Sequence, residues 1–194
     1  MPTDVGKVNL RMIANLRCVA KTRDYNSAMK SLLSLAFVSL LTIAAIHAEE
    51  KRLWAKSVIG QKAPDFAVEK WLSAEPKRDG KLVLIDFWAT WCGPCRKAIP
   101  ELNAWHKKFG DKLVVIGVSD ETEAKVRAFA EPKIEYFSAI DTQKRMNKEL
   151  EVKGIPHVII IDPKGVVRWE GFPFLGGHEL TEKVVADLIV KYGN

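Results

Sequence analysis

Cys92 and Cys95 stand in Trp91-Cys92-Gly93-Pro94-Cys95, between a run that reads as a buried strand and one that reads as a helix. Two cysteines so spaced in the first turn of a helix can bring their sulfurs together as a disulfide. Reduced, they can act as a nucleophile and its resolving partner. A helix N-terminus offers unpaired N–H groups and the positive end of a dipole. Both favour a thiolate on Cys92, the one expected to be more exposed. Thiols in such places titrate between ~3.5 and ~7.5 rather than near about 8.5. A Cys92 thiolate would attack a disulfide in another molecule, and Cys95 would displace the mixed disulfide. Pro94 near the helix start removes a donor that would have lacked a partner anyway. Two other readings use the same pair. Half a zinc site would need two more ligands, and His106, His157 and His178 are not spaced as a pair. A purely structural disulfide would close a very small loop and contribute little. No metal and no cofactor are expected.

The elements that must position these sulfurs follow from periodicity. Lys81 to Ala89 is nearly all apolar, as a strand buried on both faces should be. Cys95 to Phe109 carries Ile99, Leu102, Trp105 and Phe109 at helical spacing, and Gly110 ends it. Leu113 to Val118 is a second buried strand. Ser119-Asp120 is expected to cap a helix with Glu121 and Glu123 in its first turn, ending near Glu131-Pro132. Ile134 to Ile140 reads as a third strand, Thr142 to Leu150 as a short helix and Val158 to Asp162 as a fourth strand. Pro163-Lys164-Gly165 turns into Val166 to Trp169, a hairpin. A last helix runs from Glu179 to Tyr192. Upstream, Pro64 biases Ala63-Pro64-Asp65-Phe66 towards extended backbone. Strands alternating with helices define an α/β sheet with covered faces.

The chain has 194 residues and a formal net charge of +6. Residues 1–48 hold six bases and two acids, a net +4, so the rest carries only +2. No Lys/Arg cluster interleaved with aromatics stands in the body, and no nucleic-acid face is expected. Three cysteines exclude a disulfide-stapled miniprotein. Ser31 to Ile46 is a run of 16 uncharged residues after Met29-Lys30, ending at His47-Ala48. A basic start, an apolar stretch and a small residue describe a secretory signal over 29–48. Ile46 stands three before the expected cut, where a small residue is usual, so an uncleaved membrane anchor is the alternative. Residues 1–28 read as a start-site artefact, with translation beginning at Met29, or as a long basic leader. Cys18 receives no role. Residues 49–59 read as a linker, leaving 60–194 as one domain.

Phe87-Trp88-Ala89-Thr90-Trp91-Cys92-Gly93-Pro94-Cys95 resembles the active-site segment of the thioredoxin superfamily. Asp86, Pro100 and Gly154-Ile155-Pro156 match its buried acid, its helix-kinking proline and its cis-proline loop. The resemblance spans about residues 60–192. It implies a thioredoxin fold, a central mixed sheet flanked by helices, with an inserted helix–strand segment at about residues 119–141. That insertion, the export signal and the segment 63–66 resemble the TlpA/ResA-like branch of exported thiol–disulfide oxidoreductases. The branch faces the outside of the cytoplasmic membrane, or the periplasm. Its members reduce exported proteins, including apocytochrome c thiol pairs and copper-site cysteines.

The resemblance assigns catalysis to Cys92, Cys95 and Asp86. Burial among apolar neighbours would let Asp86 hold a proton and exchange it with Cys95. Substrate binding falls to Trp91, Gly93, Pro94, Ile155 and Pro156, with a cis Pro156 placing Ile155 beside the cysteines. His157 stands where thioredoxins carry a small hydroxyl residue and reads as a partly buried strand residue. His106 reads as solvated. The expected partners are protein thiols and disulfides, and a membrane thiol-relay protein as electron donor. Two alternatives remain. A peroxiredoxin would place Thr three residues before its cysteine and proline at position 85, but Ala89 and Ile85 stand there. A Cu(I)-binding thiol chaperone would use the same soft pair.

Overall fold

The computed structural model describes residues 53–193, together with Lys30. The expected signal or anchor and the upstream segment lie outside the described residues. Among the described residues no helix is long and apolar enough to cross a membrane.

Six strands form one sheet: β1 (Lys70–Trp71), β2 (Leu82–Trp88), β3 (Leu113–Ser119), β4 (Phe137–Ile140), β5 (His157–Ile161) and β6 (Val167–Gly171). Their order is β1-β4-β3-β2-β5-β6. β2, β3 and β4 run parallel, whereas β1, β5 and β6 pair antiparallel. Among the described residues, four helices pack around the sheet: α1 (Gly93–Phe109), α2 (Glu123–Ala128), α3 (Arg145–Glu149) and α4 (Glu182–Tyr192). β2 and β3, at the centre, are the strands whose sequences are nearly continuous in apolar residues. Burial on both faces demands that composition.

Alternation along the strands divides the core in two. Leu82, Leu84 and Trp88 of β2 face α1 and α4 and pack with Ile99, Leu102, Trp105, Val185 and Ile189. Ile85 and Phe87 face the other way, onto Val58, Met146 and Leu150. Asp86 falls on the first face and His157, which pairs with Phe87, on the second. At the β5–β6 turn the Asp162 carboxylate accepts from the Lys164 and Val166 N–H groups at 2.8 and 2.9 Å. Short-range bonds of this kind are how Asp enforces a tight turn.

The helix expected from Ser119-Asp120 starts later, at its N-cap Thr122, and ends at Ala128. Ser119 continues β3 and is buried, and its Oγ accepts from the Glu121 N–H at 3.2 Å. Glu121 turns inward instead of lining a first helical turn. The helix expected over 142–150 is shortened to Arg145–Glu149, because Lys144 takes a left-handed φ of 57° just before it. The strand expected from Ile134 begins at Phe137.

The stretch expected as a linker is described from Leu53 onward. There it packs on the domain, burying Leu53, Ala55 and Val58. The Glu170 carboxylate accepts from the Ser57 hydroxyl and from the Val58 N–H. Lys56 and Gly60 N–H groups donate to the Leu150 and Val167 carbonyls, each at 2.8 Å. Three apolar side chains scattered among charged ones carried no periodic signal, but all three are buried and Val58 joins the second core.

Candidate active site

β2 ends at Trp88, at the C-terminal end of a central strand, and α1 begins five residues later. Cys92 is the N-cap of α1, with extended backbone at φ −80° and ψ 102°. Its Sγ accepts from the Cys95 N–H at 3.2 Å, so sulfur takes the place of the usual capping oxygen. Cys92 and Cys95 are joined by a disulfide, with their Cα atoms 5.2 Å apart. Cys92 keeps 3% of its surface exposed and Cys95 none, the order expected from their positions. No acidic residue stands in the first turn to oppose an anion there.

Around the sulfurs, Trp91 is 71% exposed, and Gly93 and Pro94 are exposed beside it. The Ile155–Pro156 peptide bond is cis, as the resemblance implies. It brings the Ile155 carbonyl oxygen to 3.7 Å from Cys92 Sγ, across 63 residues of sequence. The flanking backbone is therefore within reach of any chain whose cysteine approaches Cys92.

Asp86 lies beneath, on the face of β2 that bears the disulfide. It pairs with Gly117 on one side and Val158 on the other. The carboxyl is wholly buried, and neither oxygen has a hydrogen-bond partner. Burial alone pushes its pKa up to about 7. A group half-protonated at neutral pH can both accept and release a proton, which is what acid–base work requires.

His157 is buried at 2% exposure on the opposite face, with its ring centroid 6.1 Å from that of Phe87. Burial lowers its pKa to about 4, opposed by a hydrogen bond with the Leu53 backbone. It is neutral at physiological pH and more deeply buried than its sequence position implied. His106, expected to be solvated, is half-buried, edge-on to Phe137 with ring centroids 5.2 Å apart. Burial lowers its pKa, against the pull of Glu135. Among the described residues no group of three or more His, Cys, Asp or Glu is placed to hold a metal ion.

Sequence reasoning missed Glu121. Its carboxylate accepts from the Thr90 N–H at 2.6 Å and from the Thr90 hydroxyl at 3.0 Å, fixing the segment two residues before Cys92. An acid straight after a strand was a weak cue, because the same pattern marks a helix start.

The sequence model of the AhpC/TSA family matches residues 59–170, and the chain belongs to that family. Its relatives narrow the class. The Thioredoxin-like protein YneN of Bacillus subtilis is 39% identical over 136 residues, 66% of this chain and 79% of that protein. Thiol-disulfide oxidoreductase ResA of Bacillus cereus is 34% identical over 121 residues, 58% of this chain and 68% of that protein. Thiol:disulfide interchange protein DsbE of Yersinia pestis is 31% identical over 145 residues, 71% and 76% of the two chains. Among solved structures, the thioredoxin domain of a thiol-disulfide oxidoreductase from Bacteroides vulgatus superposes with a TM-score of 0.57 at 26% identity. The match covers 72% of this chain and all of that domain. A 2-Cys peroxiredoxin of Plasmodium vivax, 16% identical with a TM-score of 0.56, shares the fold over 70% of this chain and 96% of its own. The protein is thus a thiol–disulfide oxidoreductase of thioredoxin fold, akin to the ResA and DsbE proteins.

Proposed function

We propose that the protein is an exported reductant of disulfides in other proteins, with Cys92 as nucleophile, Cys95 as resolving thiol and Asp86 as the proton acceptor. The carrying observation is a disulfide whose outer sulfur caps a helix and lies 3.7 Å from the Ile155 carbonyl. In the reduced protein the Cys92 thiolate attacks one sulfur of a partner disulfide, and the other leaves as a thiolate. The Asp86 carboxylate takes the Cys95 proton. The Cys95 thiolate then displaces the partner's remaining sulfur from Cys92 Sγ and closes the disulfide seen here. Two electrons have passed to the partner. A membrane thiol-relay protein restores them by the same exchange in reverse.

Gly93-Pro94 between the cysteines supports the reducing direction. Thioredoxin sits near −270 mV, far below the roughly −120 mV of the oxidant DsbA. Trp91, Gly93, Pro94, Ile155 and Pro156 form the surface that meets the partner chain. The apolar run at 31–46 supports export, to the periplasm or the outer face of the membrane. Cytochrome c or copper-protein maturation is the pathway class that fits, given relatives named ResA and DsbE. Peroxidase chemistry is disfavoured by one contact: the Thr90 hydroxyl is engaged by Glu121.

Replacing Cys95 with Ser and exposing the cells' exported proteins to the variant tests the proposal. Mass spectrometry should find mixed disulfides joining Cys92 to proteins with cysteine pairs. Rapid turnover of hydrogen peroxide by the native protein, with no protein trapped, would overturn it.

A further inference from the structure

Directly below the disulfide, the Asp86 carboxyl lies among buried polar atoms that the exchange steps do not use. Asp86 Oδ1 and Oδ2, the Trp88 indole nitrogen and the Tyr136 hydroxyl are all buried without a hydrogen-bond partner. Groups of this kind are rare in folded proteins, and each calls for a function or an unseen water. Here they converge. Asp86 and Trp88 are two apart on β2 and share a face. Gly117, opposite Asp86 on β3, has no side chain to fill the gap. A Cβ there would stand 2.9 Å from Tyr136 Cε2 and 3.0 Å from Trp88 Nε1. The ring and the indole therefore occupy the space that Gly117 vacates. The Asp86 charge in turn acts on Tyr136, pushing its hydroxyl further from ionising than burial alone does.

We propose that Tyr136 is a positioning residue for the proton acceptor: its hydroxyl and the Trp88 indole N–H hold a buried water that donates to the ionised Asp86 carboxylate. A water in such a place needs two to four polar partners, and these three groups supply them. The proton path runs from Cys95 Sγ–H to the Asp86 carboxylate, leaving a Cys95 thiolate and a neutral carboxyl. The two donors stabilise the carboxylate before transfer, when the carboxylate alone would be a bare charge in an apolar layer. Tyr136 itself exchanges no proton.

β4 brings a further polar group to this layer, the Ser138 hydroxyl, opposite Gly117 and likewise without a hydrogen-bond partner. α1 contributes Cys95 and Cys92, which do not titrate while joined as the disulfide. α1 also carries Arg96, turned outward over Phe129. The β3–α2 loop contributes Glu121, engaged by Thr90. β5 contributes Val158 and Ile160, and α4 contributes Val185 and Ile189. His157 lies on the far face.

The inference rests on Asp86 serving as proton acceptor, and its test separates the two. In the full-length oxidised protein, ¹³C NMR follows the Asp86 carboxyl with pH. Tyr136→Phe, which removes only the hydroxyl, should raise the Asp86 midpoint by about one pH unit, since the water that donates to the carboxylate loses an anchor. The pH profile of disulfide reduction should move by the same interval. In the native protein the Trp88 indole ¹⁵N–¹H resonance should titrate with the Asp86 midpoint, a reading that requires no variant. An unmoved Asp86 midpoint in folded Tyr136→Phe, or a Trp88 resonance flat across it, overturns the inference. Asp86→Asn with an unchanged rate profile would instead remove Asp86 from the reaction, leaving the NMR coupling untouched.

Discussion

Asp86 and His157 sit one residue out of register on adjacent strands, and the sheet sends them to opposite faces. Both are buried without a partner on at least one polar atom, and burial drives both towards the neutral form. The consequences differ because of what lies above. Over Asp86 is the N-terminal turn of α1 with its two sulfurs. Over His157 is a second core covered by α3 and by residues 53–58. A perturbed titration signals chemistry only where a reacting atom is within reach. On the other face the same physics is packing.

Replacements on the two faces should therefore separate cleanly. The largest effect belongs to Cys92→Ser, which should reduce insulin disulfide cleavage to the uncatalysed background. His157→Phe should leave the rate within a factor of a few, and a collapse of activity there would erase the distinction between the faces. Next comes Asp86→Asn. General acid–base groups contribute about 10²-fold or more. The variant should slow resolution by that order and lose the break in the rate profile near the Asp86 pKa of about 7.

Stability against pH sharpens the contrast, because the two groups act with opposite sign. Asp86 has a raised folded pKa, so the native state holds its proton longer than the unfolded chain. That makes stability fall as pH rises from about 4 to about 7. His157 has a lowered folded pKa, so its contribution is complete above 6.5 and is lost as pH falls towards about 4. Between those limits the slopes oppose each other, and the native protein should show a nearly level stability curve in urea titrations. Asp86→Asn should be more stable than the native protein at pH 8, by up to about 4 kcal/mol, and equal to it near pH 4. Its curve should rise with pH through the histidine range, whereas that of His157→Phe should fall. The smallest effect is expected from Glu121→Gln. It keeps the shape but weakens two bonds to Thr90, costing about 1 kcal/mol and leaving the rate profile's midpoint in place.

What was legible in the sequence was whatever lies along contiguous chain. The strand, the cysteine pair and α1 form one unbroken segment whose arrangement follows from spacing, whereas Ile155-Pro156 was placed beside the cysteines by the family resemblance. Core alternation on β2 and β3 likewise put Asp86 among apolar neighbours. Contacts that join distant segments were not legible. Glu121 meets Thr90 across 31 residues. Tyr136 meets Trp88 only because Gly117 leaves room between strands. Leu53 and Val58 gain their partners from β6 and α3, so their own stretch reads as polar. β1, at two residues, is too short to show alternation and exists through pairing with β4.

The claim on which the rest depends is that the sulfur capping α1 reacts as an anion at neutral pH while its neighbour is shielded. Alkylation of the reduced full-length protein by iodoacetamide, quenched at intervals across pH and mapped by mass spectrometry, measures this directly. Cys92 should be labelled first, with a midpoint well below the about 8.5 of a free thiol, and Cys95 should be protected throughout. Labelling of Cys95 before Cys92, or a Cys92 midpoint no different from a free thiol, would contradict it.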